Sequence, residues 1–195
     1  MDPTDLVDRV RSENNTELSR LGSSKSLYAD TEGEMESEAV LTALADVTAH
    51  AAEVFDGWSE PFGAAAARER DHYADIAGEL DAHDPGDRPA LVESFRGLET
   101  EVERLGAAVG YTLVAEAKAG QATGFFTGQA DPQTASLFRE VSAGYETLRG
   151  ELLDALEPHD DLESATAAAT AVVEAAYEEY VDRLESMGIN PKPVC

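Results

Sequence analysis

The chain has 195 residues, of which 43% are hydrophobic, and 40 acidic against 14 basic residues give a formal net charge of -26. This length suits one helical-bundle domain over residues 1–195 with a complete core. The periodic apolar residues exclude a disordered acidic tail, and the charge argues against direct binding to nucleic acid or an anionic membrane. We interpret it as the surface of a halophilic protein in concentrated salt, with mimicry of a nucleic-acid backbone as the alternative.

The termini carry no signal for export or membrane insertion. The N-terminus has neither a basic start nor an apolar segment, and no uncharged run approaches the length of a membrane span. The single cysteine, Cys195, excludes a disulfide framework and a thiolate metal cluster. We therefore expect a cytoplasmic protein.

Helical periodicity extends along most of the chain, and no segment shows a convincing strand pattern. Helix starts are predicted by the capping box of Thr100 and Glu103 and by Asp131 before Pro132. Residues 25–36 indicate a polar connection. The predicted helices cover residues 5–21, 37–58, 59–82, 89–96, 100–127, 131–157 and 161–187.

The connections between these helices predict how they pair. Ser59 followed by Pro61 predicts a new helix directly after residue 58, so the helices on either side must form an antiparallel hairpin. The helices over 100–127 and 131–157 form a second hairpin, reached by a long crossover. The fold expected is an all-α four-helix bundle over residues 37–157, flanked by N-terminal and C-terminal helices.

The second helix of the first hairpin places ionisable groups on its own apolar stripe. Glu69 lies at a core position with His72 beside it, three residues later. A buried carboxylate needs a cation, a metal or hydrogen bonds nearby, and a Glu-x-x-His pair can offer an oxygen and a nitrogen to a metal ion inside a bundle. The alternative is a buried ionic pair without a catalytic role. The stripe consists of Phe62, Ala66, Glu69, Tyr73, Ile76 and Leu80.

The two hairpins have related spacings, as if they were degenerate copies. Phe62 precedes Glu69 by seven residues, and Phe138 precedes Tyr145 by seven on the same kind of stripe. We expect Tyr145 to be a core residue with its hydroxyl bonded to Glu69 or to Glu116.

Folding the hairpins at their turns brings further candidate ligands to the same level. Asp46 and His50, an i, i+4 pair, fall level with Glu69 and His72. Glu116 falls level with Tyr145 in the second hairpin. Alternatively, Glu116 is a residue at the boundary of the core that pairs with a lysine or an arginine.

These features resemble the ferritin-like superfamily, and in particular its rubrerythrin-related members. The resemblance depends on Glu69-x-x-His72, on Glu116 in the third bundle helix and on the two-hairpin order. Proteins of this kind bind two iron or manganese ions through one Glu from each first helix and a Glu-x-x-His from each second helix. The resemblance therefore implies Glu69, His72 and Glu116 as metal ligands, with Asp46 or His50 replacing the remaining Glu.

The chain departs from this family where the second Glu-x-x-His would fall, because Tyr145 and Leu148 stand there. A mononuclear site and a lost site are therefore alternatives to a dinuclear one. The chain also lacks the Cys-rich iron module with which rubrerythrins pass electrons, so the electron donor of a redox-active protein is unknown.

Two functions follow from the resemblance. The first is a metalloprotein that acts on dioxygen or peroxide, or handles iron; convergence of Asp46, His50 and Glu116 on Glu69 and His72 would favour it. The second is a metal-free bundle that serves as an interaction or regulatory protein; it would be favoured if the same three side chains pointed to solvent. A homodimer could form through a helix lined by small residues, namely Gly106, Gly110, Gly120, Gly124 and Gly128.

Overall fold

The computed structural model describes residues 2–58 and 60–191, and these residues form helices and loops without a strand. The predicted all-α class is therefore confirmed. The predicted N-cap Ser59 and the cysteine Cys195 lie outside the described residues. The helices are α1 (Pro3–Glu13), α2 (Asn15–Leu21), α3 (Ser24–Asp30), α4 (Ser37–Gly57), α5 (Gly63–Ala77), α6 (Ala90–Glu93), α7 (Glu101–Gly128), α8 (Pro132–Leu156) and α9 (Leu162–Ser186).

Two helix starts follow directly from local side-chain chemistry. The backbone N–H of Glu103 donates to Thr100 Oγ1 over 3.2 Å, and the N–H of Thr100 donates to Glu103 Oε2 over 2.9 Å. Asp131 Oδ1 accepts from the N–H of Thr134 over 3.1 Å, with Pro132 in the first turn of α8. These bonds satisfy amide groups that have no partner inside the helix, and both predicted starts are confirmed.

The N-terminal region is more divided than its sequence predicts. The helix predicted over residues 5–21 breaks at Asn14, whose side-chain amide donates to the carbonyl oxygen of Val10 over 2.9 Å. Residues 25–36, predicted as a polar connection, include all of helix α3 except its first residue. Its side chains Leu27 and Ala29 are buried where α3 packs against α7 and α9. Burial on neighbouring helices thus orders a segment whose own composition is mostly polar.

Four of the long helices form two pairs that face each other. Helix α4 packs against α5, and α7 packs against α8; the pairs then meet through α4 with α7 and α5 with α8. The predicted pairing into two hairpins is therefore present. Helix α5 ends at Ala77 rather than near residue 82, because Gly78, a poor helix former, follows it. Apolar contacts connect the whole arrangement from Leu6 in α1 to Leu184 in α9.

Helix α9 was predicted to flank the bundle. In the structure it packs along α7 about as extensively as the two helices of a hairpin pack on each other. Consequently α7 has no solvent-facing side over much of its length, and every residue from Leu105 to Ala115 is buried. A Cβ atom on Gly106 would overlap the backbone of Ala165, and one on Gly110 would overlap the backbone of Ala169. Two of the five small residues, Gly106 and Gly110, therefore serve the packing of α9 within the chain. The other three, Gly120, Gly124 and Gly128, have no such neighbour.

This contrast gives a matched pair of substitutions within one helix. Gly110→Ala should lower the free energy of unfolding by about 1–3 kcal/mol, because α9 must move away from the new methyl group. Gly120→Ala should raise it by about 0.5–1 kcal/mol, because alanine restricts the unfolded chain and nothing obstructs its side chain. Denaturant unfolding in constant molar KCl measures both. Equal effects of the two variants would contradict the close crossing of α7 and α9.

Candidate functional site

The carboxyl group of Glu69 lies in the middle of the bundle and is completely buried, with 0% of the residue exposed. Tyr111 of α7 donates a hydrogen bond to Glu69 Oε2 over 2.9 Å, and Tyr145 of α8 donates one to the same oxygen over 3.3 Å. The two tyrosine hydroxyls lie 3.4 Å apart. One carboxyl group of the first hairpin is thus held by two phenols of the second, and the predicted bond between Tyr145 and Glu69 is present.

His72 extends this arrangement by one helical turn. Its Nδ1 lies 4.0 Å from Glu69 Oε2, and its ring packs edge-on against the ring of Tyr145 with centroids 4.8 Å apart. On its other side the ring meets the backbone of α8, where a Cβ atom on Gly144 would lie 2.5 Å from His72 Nε2. Only glycine leaves room for the imidazole there. We call Glu69, His72, Tyr111 and Tyr145 the buried cluster.

Two atoms of the buried cluster have no hydrogen-bond partner among the described residues. They are Oε1 of Glu69 and Nδ1 of His72, and both are inaccessible to solvent. An unsatisfied buried polar group costs about 1–3 kcal/mol, and such groups are uncommon in native proteins unless they bind a water, an ion or a ligand. The two unpartnered atoms belong to the two side chains of the Glu-x-x-His motif.

Burial also decides the charge of the cluster. It raises the pKa of Glu69 to about 8, although the hydrogen bonds from Tyr111 and Tyr145 oppose the shift. It lowers the pKa of His72 to about 4, with a further contribution from the positive charge of Arg68. Burial, followed by the nearby Glu69, raises the pKa of both tyrosines well above the ordinary value. All four side chains are therefore uncharged at neutral pH when nothing is bound.

A cavity of about 540 Å³ opens between α5 and α8 and borders the buried cluster at His72. Most of its charged side chains are acidic, so it attracts cations. Arg68 also lines it, and the Nε atom of this arginine is a further buried donor without a partner in the described chain. The cavity gives a path from solvent to His72. Its acidic side chains are Asp71, Asp75, Glu79 and Glu140.

Asp46 and His50 do not join the cluster, contrary to the sequence-based expectation. Asp46 Oδ1 lies 3.0 Å from His83 Nε2 and accepts from the N–H of Gly86 over 3.0 Å. His50 Nε2 lies 2.9 Å from the carbonyl oxygen of Gly86. Both side chains therefore hold the loop that follows α5, whose backbone polar groups need partners. The face of α4 that carries them turns toward this loop.

Glu116 also lies away from the cluster. Its Oε2 accepts a hydrogen bond from Arg149 Nη1 over 2.6 Å, which agrees with the alternative reading of a boundary residue paired to an arginine. Glu116 follows Tyr111 by five residues, which places the two side chains about 140° apart around a helix of 3.6 residues per turn. It borders a different cavity, between α2, α7 and α8. The prediction that it converges on Glu69 is therefore wrong.

Tyr111 is the cluster residue that the sequence-based reading missed. Every residue from Leu105 to Ala115 is buried, so this part of α7 has no polar face. Without a polar face, the sequence does not show which side of the helix points toward Glu69. One signal was present: the buried run contains two hydroxyl side chains, Tyr111 and Thr112. Thr112 Oγ1 can donate to its own helix, at Val109 O over 2.8 Å. A buried tyrosine reaches further and needs a partner on another element.

Comparison with known proteins gives no assignment, since no protein-family model, curated protein or solved structure matches the chain. In residues 2–58 and 60–191, no helix is long and apolar enough to cross a membrane. The same residues contain no group of three or more His, Cys, Asp or Glu side chains placed to hold a metal. The buried cluster is thus the feature from which function must be inferred.

The shifted pKa values predict how stability depends on pH in metal-free protein. Between pH 6.5 and 8 unfolded Glu69 is ionised while native Glu69 holds its proton, so stability falls by roughly 1.4 kcal/mol per pH unit. Between about pH 4.5 and 6.5 the stability should be nearly independent of pH. In this range unfolded His72 binds a proton that native His72 does not, which cancels the effect of Glu69. Glu69→Gln should remove the fall above pH 6.5.

Denaturant unfolding at a series of pH values in constant molar KCl and a chelator checks this prediction. Glu79→Gln is the control, because it removes an exposed carboxylate just beyond the end of α5. The control should keep the slope of the unmodified protein. A slope that persists unchanged in Glu69→Gln would show that Glu69 is ionised in the native bundle.

Proposed function

We propose that this chain is a ferritin-like, rubrerythrin-related bundle whose buried cluster holds one iron or manganese ion, for chemistry on oxygen or peroxide or for iron handling. One observation carries the proposal: Glu69 Oε1 and His72 Nδ1 are buried and unpartnered within the described chain. Carboxylate oxygen and imidazole nitrogen are suitable donors for these metals. The structural cost of leaving both atoms unsatisfied is explained if they bind an ion.

The donor set favours one ion over two. The candidates Asp46, His50 and Glu116, which a dinuclear site would require, are bonded elsewhere. What remains around Glu69 is one imidazole and two phenols. His72 is already neutral, which is the form that binds metal, whereas Glu69 must release its proton when an ion is bound. A bound iron or manganese ion would supply redox chemistry that these side chains lack.

The surroundings of the cluster suit this role. The acidic cavity beside His72 concentrates cations at the one cluster residue that borders it. The edge-on contact between the rings of Tyr145 and His72 excludes water from the inner side of the imidazole. We place the protein in a cytoplasm of high salt concentration, where its excess of acidic side chains is screened. The formal net charge of -26 opposes direct binding to nucleic acid.

A metal-free bundle that acts through protein partners is the second candidate function, and a specific observation favours it. The cluster is uncharged at neutral pH without any ion, because burial shifts the pKa values of Glu69 and His72 in opposite directions. The core therefore avoids a buried charge on its own, and such a bundle would keep its helices after losing its metal.

Metal quantification distinguishes the two candidates. The protein is purified in molar KCl from cells grown with iron and manganese, and iron is then added under anaerobic conditions. We expect about one equivalent per chain, because a single carboxylate–imidazole pair is available. Glu69→Gln should lose the metal with unchanged helicity. Glu116→Gln, which removes a carboxylate outside the cluster, should retain it.

Three results would contradict the proposal of a mononuclear site in the buried cluster. About two equivalents per chain would mean that Asp46, His50 or Glu116 rearrange into a dinuclear site. Absence of metal in both preparations would leave the metal-free bundle as the function to pursue, through isolation of its partners. Equal metal loss in Glu69→Gln and Glu116→Gln would place the ion outside the buried cluster.

A further inference from the structure

The four side chains of the buried cluster bring their polar atoms close together. Glu69 Oε2 lies 2.9 Å from the hydroxyl of Tyr111, 3.3 Å from the hydroxyl of Tyr145 and 4.0 Å from His72 Nδ1. The two hydroxyls are 3.4 Å apart. These atoms come from three helices, α5, α7 and α8, and lie around Glu69 Oε2.

These hydrogen-bond distances are also compatible with ligands around a single ion. Oxygen and nitrogen ligands bond transition metals at about 2.0–2.2 Å, so neighbouring ligands at 90–110° are about 2.9–3.5 Å apart and opposite ligands about 4.2 Å apart. The oxygen–oxygen distances in the cluster match neighbouring positions. The distance from His72 Nδ1 to Glu69 Oε2 approaches that of opposite positions.

We propose that Tyr111 and Tyr145 complete the metal site with Glu69 and His72, and that the ion they select is ferric iron. This inference builds on the proposed function and deepens it, by naming the ligands and the oxidation state. Phenolate and carboxylate are hard, anionic oxygen donors, which favour a small, highly charged cation over softer divalent ions.

Charge balance supports the ferric ion. One carboxylate and two phenolates carry three negative charges, and neutral His72 adds none, so Fe³⁺ gives a ligand set without net charge. The nearby positive charge of Arg68 is paired with Glu151 over 3.3 Å. Fe²⁺ or Mn²⁺ with the same donors would leave a negative charge in a core position that is closed to solvent, at a large cost. On binding, the O–H bonds of Glu69, Tyr111 and Tyr145 break, their oxygens bond the ion, and each proton leaves to solvent. No electron is transferred.

The visible absorption spectrum tests the inference directly. Metal-free protein is titrated with ferric nitrilotriacetate in molar KCl, with manganese(II) chloride as the comparison. Phenolate bound to ferric iron gives a charge-transfer band in the visible region and phenolate ring vibrations in the resonance Raman spectrum. We expect both with ferric iron and neither with manganese(II).

Tyrosine variants identify which residues produce the band. Tyr111→Phe and Tyr145→Phe should each weaken it, and the double variant should abolish it. Tyr73→Phe is the matched control, because Tyr73 lies on α5 but its hydroxyl is 3.2 Å from His83 Nδ1, outside the cluster. Each variant removes only a hydroxyl. Circular dichroism checks that the helices remain, and the single variants keep the test decisive if the double variant unfolds.

The outcomes separate this inference from the function on which it builds. Iron bound without a visible band would overturn tyrosine ligation and leave a Glu69–His72 metal site standing. A band that survives in the double variant, or disappears in Tyr73→Phe, would assign the phenolate to another tyrosine. No binding of ferric iron, with one equivalent of manganese retained, would overturn the ferric assignment alone. No binding of either metal would overturn both proposals.

Discussion

The carboxyl group of Glu69 constrains the centre of this protein more than any other group, because it is closed to solvent and cannot remain ionised and alone there. Tyr111 and Tyr145 of the opposite hairpin donate hydrogen bonds to this carboxyl group. The same bonds therefore also fix how the two hairpins face each other. Gly144 contributes as well, because its lack of a side chain leaves space for the ring of His72 against α8. The same few residues therefore satisfy the buried carboxyl group and hold the two hairpins together.

Features that depend on neighbouring residues in the chain could be predicted from the sequence. The capping box at Thr100 and the cap at Asp131 each involve atoms within three residues, and both helices start where expected. The burial of Glu69 and His72 follows from helical spacing, which needs only the direction of one apolar stripe. The contact between Tyr145 and Glu69 was within reach because the two hairpins repeat the same spacing.

Features that depend on which helices surround a given face could not be predicted in the same way. Helix α7 is enclosed by α8 and α9, so its apolar residues point in every direction. The apolar stripe expected through Glu116 is therefore not the side of the helix that brings Tyr111 to the cluster. Asp46 turns toward a loop, whose need for hydrogen-bond partners appears only after that loop has folded back. Helix lengths and turn positions predict how far along the bundle axis a residue lies. The direction in which its side chain points around the helix depends on tertiary packing.

The close crossing of α7 and α9 also has a consequence for how the chain folds as it is made. The backbone at Gly106 and Gly110 is covered by Ala165 and Ala169 of α9, which are synthesised more than fifty residues later. Both hairpins can form on the ribosome while this surface is still bare, because folding proceeds from the N-terminal side during translation. The nascent bundle therefore leaves the backbone of α7 at Gly106 and Gly110 open to other contacts until α9 has been made and packs there.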